Sequence, residues 1–123
     1  MNTTTAKDVR STLSASALIG DKVVNRRGED LGKIEDLMVE PEQGRVSYAV
    51  LSFGGFLGMG DKLFAIPMQA MKLSREEKKL ILDIDKEKLK NAPGFDKNHW
   101  PDFNDRSYGS KLYSYYGYTP HWS

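Results

Sequence analysis

The sequence predicts an all-β chain: a small barrel of about five or six strands, one short helix near its C-terminal end, and an extended aromatic tail. Three observations carry that reading. Residues 45–53, RVSYAVLSF, place Val46, Tyr48 and Val50 on one face and Ala49, Leu51 and Phe53 on the other. Both faces are largely apolar, so this strand is expected to be central and buried. Residues 21–39, DKVVNRRGEDLGKIEDLMV, read as a β-hairpin whose polar turn carries Gly28. Turn signals such as Glu40-Pro41-Glu42-Gln43-Gly44 then part the apolar runs at short intervals.

Taken in order, residues 1–13 are polar, rich in Thr and Ser and without periodicity, the pattern of a flexible lead-in. Ser14 or Ser16 suits the cap of a helical turn that Gly20 ends, with Leu18 and Ile19 tucked under the barrel. Val23 and Val24 form the first strand; Leu31 opens the second, where Gly32 offers a bulge or a close backbone approach. Ile34 and Leu37 are three apart, which a strand accommodates only with a bulge near Glu35 and Asp36; a helical turn is the competing reading.

Beyond the central strand, the glycine-rich residues 54–60 interrupt, and KLFAI at 62–66 resumes as a strand that stops at Pro67. Residues 67–71 fit one helical turn with proline at its first position. Residues 72–73 and 80–84 flank a charged tip and read as a hairpin, because Leu80, Leu82 and Ile84 alternate; a helix through 75–82 is the alternative. Residues 85–92 read as the short helix, with Asp85 as N-cap and Pro93-Gly94 as stop. From Gly94 the composition shifts: five of the six tyrosines, both tryptophans and both histidines follow, with Leu112 the one aliphatic residue. Residues 14–93 are therefore expected to form the barrel, and 94–123 a tail that packs on it or on a partner.

A chain of 123 residues suits one domain, which at this size buries roughly 60–70% of its unfolded surface. The absence of cysteine excludes disulfides, thiolate metal sites and thiol nucleophiles. Eighteen Lys and Arg against seventeen Asp and Glu, with signs mixed, argue against a dedicated nucleic-acid binder. The N-terminus has no charged leader before an apolar run, and no stretch approaches the ~20 apolar residues of a membrane span. The expectation is a cytoplasmic protein.

Few residues carry chemistry. The loop GGFLGMG at 54–60 superficially matches a phosphate cradle, but Asp61 and a strand follow it rather than a helix N-terminus. Its Phe56, Leu57 and Met59 either dock a partner or fold back to cap the barrel. Glu29, Asp30, Glu35, Asp36, Glu40 and Glu42 lie at turns and strand edges, the pattern of a solvated surface; Asp36 is expected to turn inward beside the bulge and bond backbone N–H groups. His99, beside Asp96 and Asp102, is a weak metal candidate, and His121 stands too far off to help. The tail invites base stacking, but its charges sum to zero, so phosphate attraction is weak. No cofactor is implied.

The placed strands resemble a known family. Leu18-Ile19-Gly20, Val23-Val24-Asn25, Gly28 through Ile34, Gly44-Arg45-Val46, Val50 through Gly55, Gly60-Asp61-Lys62, Phe64 through Pro67 and Leu80 through Asp83 are together similar to the PRC-barrel domain. That small β-barrel is shared by the cytoplasmic part of the photosynthetic reaction-centre H subunit and the C-terminal domain of a ribosome-maturation factor. Gly94-Phe95 and Trp100-Pro101 resemble a bacterial stand-alone subgroup. The resemblance implies an interaction and assembly module without catalytic residues. It brings across neither specific role, since the membrane helix of the one and the RNA-associated domain of the other have no counterpart in these residues. The expected function is a non-enzymatic, self-associating protein-interaction module, a homodimer. Phe56, Leu57, Met59, Trp100, Tyr113, Tyr115 and Tyr116 are the expected partner contacts. A small-ligand or metal-binding regulatory domain is the alternative.

Overall fold

A computed structural model describes residues 12–54, 62–74, 79–120 and 122. Its strands are β1 (Lys22–Val24), β2 (Asp30–Glu40), β3 (Arg45–Phe53), β4 (Lys62–Pro67), β5 (Met71–Ser74) and β6 (Lys79–Leu82), and its helices α1 (Ala15–Leu18), α2 (Lys86–Lys90) and α3 (Arg106–Tyr116). The strands form one six-stranded sheet in the order β4-β3-β2-β1-β6-β5. Only β1 and β6 run parallel among these pairs. The two edge strands, β4 and β5, are joined by a single 3-10 turn, Met68–Ala70. A flat sheet of this width would hold its edges about 24 Å apart, and the linking residues reach about 14 Å at most. The sheet must therefore curl towards a barrel.

Local sequence explains the curl. Asn25, 4% exposed, organises the β1–β2 turn. Its Oδ1 accepts the N–H groups of Arg27 and Glu29, both at 3.0 Å. Its Nδ2 donates to Glu29 Oε1 and to the Ile84 carbonyl, pinning the turn to the strand end beyond β6. Leu31 is skipped in the pairing of Val23 with Gly32 and Val24 with Asp30, so it turns fully inward. Gly32 combines the two expectations: it adjoins this bulge, and a Cβ there would stand 2.0 Å from the Ser52 carbonyl oxygen. A second bulge falls at Glu35, between the pairs Ile34–Leu51 and Asp36–Val50. It lets Ile34 and Leu37 share the core despite their spacing, and the helical-turn reading is excluded.

β3 is buried from Ser47 to Phe53. Ala49, Leu51 and Phe53 face the barrel interior with Leu31, Ile34, Phe64, Ile66, Leu80, Leu82 and Leu89. Tyr48 faces the other way, into a second cluster with Ala65, Leu112 and Tyr113. The strand reading of residues 80–82 holds, since Leu80 and Leu82 point inward from β6. α2 is capped in position by Asp85, but that side chain makes no cap hydrogen bond and lies 3.5 Å from Arg27 instead.

Three expectations need correction. Ile19 is 41% exposed rather than tucked under the barrel. α1 is anchored by backbone, through Gly20 N–H to the Ile34 carbonyl and Ile34 N–H to the Asp21 carbonyl, so its side chains need not bury. Asp36 is exposed; among the described residues its carboxylate accepts only the adjacent Leu37 N–H, because the bulge turns Glu35 and Asp36 both outward. Residues 106–116, read as extended tail, are the helix α3. Asp105 caps it by accepting the Ser107 N–H, and Gly117 ends it in the left-handed conformation.

Candidate interaction surface: the docked tail and its cleft

The tail reaches the barrel first along the free side of β4. Phe95 and Leu63 exchange both backbone hydrogen bonds at 2.8 Å, covering part of that edge. Phe103 then inserts among rings: Tyr48 at 5.5 Å, Tyr108 at 5.9 Å, Phe95 at 6.2 Å and Trp100 at 6.3 Å between centroids. α3 lies against β4. It approaches closely because Gly109 has no side chain; a Cβ there would meet the Tyr48 hydroxyl at 2.7 Å. Leu112 is fully buried, and Tyr113 stacks edgewise on Tyr48 at 5.8 Å and on Trp122 at 5.4 Å.

This accounts for most of the residues the sequence singled out. Tyr113 is 4% exposed within the seam. Tyr115 is half-buried; its hydroxyl donates to the Lys88 carbonyl, and the Lys88 ammonium stands 5.4 Å over its ring. Tyr116 packs against both clusters, and its buried hydroxyl has no hydrogen-bond partner among the described residues. It borders a cavity of about 70 Å³ with Leu82, Ile84 and Lys88. Trp100 is 40% exposed, its ring on Phe95 and its Nε1 donating to the Lys97 carbonyl at 2.9 Å. Phe56, Leu57 and Met59 lie outside the described residues. His99 is exposed, with Nδ1 2.9 Å from Asp96 Oδ1. That bond holds the Asp96 carboxyl below its usual range. No group of three metal-ligating side chains occurs among the described residues.

Burial raises the pKa of four tyrosines: Tyr48, Tyr108, Tyr113 and Tyr116. Tyr108 is pushed up to about 12 by desolvation. Tyr113 and Tyr116 move upward chiefly for the same reason, and Tyr48 does so with added repulsion from Tyr113, Tyr108 and Glu40. These phenols stay neutral at ordinary pH and serve as packing surfaces.

Between the docked tail and the β2–β3 turn lies a cleft of about 590 Å³. Barrel and tail each build one side. Val39, Glu40, Glu42 and Ser47 face Asp105 and Arg106, with Tyr48, Phe103 and Trp122 also lining it. The Glu40 carboxylate accepts a short hydrogen bond from the Ser47 hydroxyl, and Val39 is 58% exposed. No local pattern signals this cleft, because its halves stand about sixty residues apart and meet only once α3 docks. Phe103 carries no local signal for the same reason.

The PRC-barrel domain family matches residues 11–89 of this chain, well over half of its length. The chain belongs to the PRC-barrel domain family. The match ends before Phe95, so α3 and the tail side of the cleft lie outside it. Among solved structures the PRC-barrel chain is similar to RimM from Pseudomonas aeruginosa, whose name refers to 16S ribosomal RNA processing. The two share 19% identity at a TM-score of 0.42, over 66% of this chain and 48% of that one. The chain thus spans about half the length of that protein, and likeness this remote carries nothing about role. No curated protein matches the chain.

Proposed function

We propose that this PRC-barrel chain is a non-enzymatic interaction and assembly module that associates with a second copy of itself. The observation that carries the reading is the open cleft beside the tail, lined by exposed Val39 together with Tyr48, Phe103 and Trp122. Such a surface fits chain-to-chain contact, in which aromatic anchors supply most of the binding. Phe56, Leu57 and Met59 are the proposed self-association loop, and Trp100 is the tail ring offered outward. Tyr113, Tyr115 and Tyr116 act on a partner through the tail they hold in place. Light scattering on the full chain over a range of concentrations tests this. A dimer that becomes a monomer when Phe56 and Leu57 are both replaced by alanine supports the proposal. A monomer at every concentration removes self-association.

The cleft's volume also favours a second reading, a regulatory domain for a small ligand, since ligand pockets run to about 300–1,000 Å³. A ligand that binds only the folded chain raises its melting temperature. No shift across a panel of metabolites and divalent metals would set this reading aside.

A further inference from the structure

We propose that the free edge of β5 pairs antiparallel with β5 of a second copy of this chain, joining two six-stranded sheets about a two-fold axis at Leu73. This rests on the reading of the chain as self-associating and names an edge that carries the contact.

The two edges of the sheet differ. On β4 the tail covers part of the free side, where Phe95 and Leu63 exchange backbone hydrogen bonds. β5 pairs with β6 alone, and among the described residues no backbone bond crosses its other side. Met71 spends its N–H on the Met68 carbonyl, so bonding to β6 falls to the alternate residues, Lys72 and Ser74. The N–H and C=O of Leu73 then point away from the sheet. Leu73 stands opposite the buried Leu80, yet it is 38% exposed because no strand lies beyond it. An edge with unpaired backbone groups and an apolar side chain is a template for another strand.

Symmetry and charge choose the register. In an antiparallel pair, residues directly opposite each other both offer or both withhold their hydrogen-bonding groups. A two-fold axis must therefore pass between one residue and its own copy. An axis at Met71 meets an N–H already spent. An axis at Lys72 sets two ammoniums against each other, which is destabilising. An axis at Ser74 leaves Leu73 no partner within the strand. An axis at Leu73 lets each Leu73 N–H donate to the other copy's Leu73 carbonyl and brings the two leucine side chains together. It also puts each Lys72 opposite a serine rather than a lysine. The lysine that guards this short edge against other pairings thus permits this one. Two hydrogen bonds and one apolar pair make a weak dimer, populated at high concentration.

The test is light scattering of the full chain, of its Leu73→Lys and Leu73→Glu variants, and of the two variants mixed in equal amounts, with circular dichroism as the check on folding. Each variant alone is expected to dimerise about tenfold more weakly or worse, because like charges meet across the axis. The mixture is expected to regain the dimer, because opposite charges then meet. A dimer indifferent to both substitutions overturns the edge pairing and leaves self-association standing. Variants that stay monomeric when mixed also overturn it. Where a charge at this position disturbs the fold, hydrogen exchange of the unaltered chain decides: protection of the Leu73 amide that rises with protein concentration supports the pairing, and protection independent of concentration overturns it. A chain that is monomeric at every concentration removes both this pairing and self-association.

Discussion

The ring of Phe103 rests 5.5 Å from that of Tyr48, joining the tail to the outer face of the central strand. On the opposite face of that strand, Ala49 and Leu51 fill the barrel interior. One strand thus serves two cores, and the tail is what buries the second.

The second core is worth measurable stability. Leu112 is fully buried on α3 against Tyr48 and Ala65. Leu112→Ala is expected to lower the unfolding free energy by about 2–4 kcal/mol in urea titrations. A loss below about 0.5 kcal/mol would mean that α3 contributes little to the fold.

Gly32 is the sharpest steric constraint in the sheet. Its φ of 118° and the 2.0 Å approach of any Cβ to the Ser52 carbonyl leave no room for a side chain. Since the obstacle is backbone, β2 and β3 would have to separate. Gly32→Ala is expected to cost about 3 kcal/mol or more, or to prevent folding, as read by chemical denaturation.

Tyr116 gives a prediction of opposite sign. Its hydroxyl is buried without a partner among the described residues, and an unmet donor in the interior costs about 1–3 kcal/mol. Tyr116→Phe is expected to raise stability by about 1 kcal/mol. A loss of that size would show that the hydroxyl is bonded, by a water in the adjoining cavity.

Alkaline pH should loosen the same seam. Tyr48, Tyr108, Tyr113 and Tyr116 all have pKa values raised in the folded chain, Tyr108 to about 12. The unfolded phenol titrates near pH 10. Between about pH 10 and 12 the unfolded chain therefore holds fewer protons than the folded one, and stability falls as pH rises. The contribution is complete below pH 10. Melting temperatures recorded from pH 8 upward are expected to hold until about pH 10 and then decline. A flat profile to pH 12 would contradict the burial of these rings.

The barrel was legible because its signals are local. The alternation in 45–53 and the Asn25–Gly28 turn each point to one geometry, whereas the three-residue spacing of Ile34 and Leu37 admits a bulged strand or a helical turn, and the pairing of β2 with β3 decides for the bulge at Glu35. α3 was not legible as a helix, because four of its eleven residues are tyrosine, glycine sits within it and Leu112 is its only aliphatic. Counting the tyrosines as apolar would have shown the stripe of Tyr108, Leu112 and Tyr116 at helical spacing, framed by Asp105 and Gly117. The cleft depends on where that helix docks, and no local pattern encodes it.

The central claim is that tail and barrel fold as one unit. Both tryptophans, Trp100 and Trp122, lie in the tail, whereas the strands dominate the far-ultraviolet circular dichroism. Urea unfolding followed by tryptophan fluorescence and by circular dichroism therefore reports the two parts separately. The account predicts coincident transitions with one midpoint. A fluorescence transition that completes at lower urea, before the strands melt, would show that the tail detaches on its own and would contradict it.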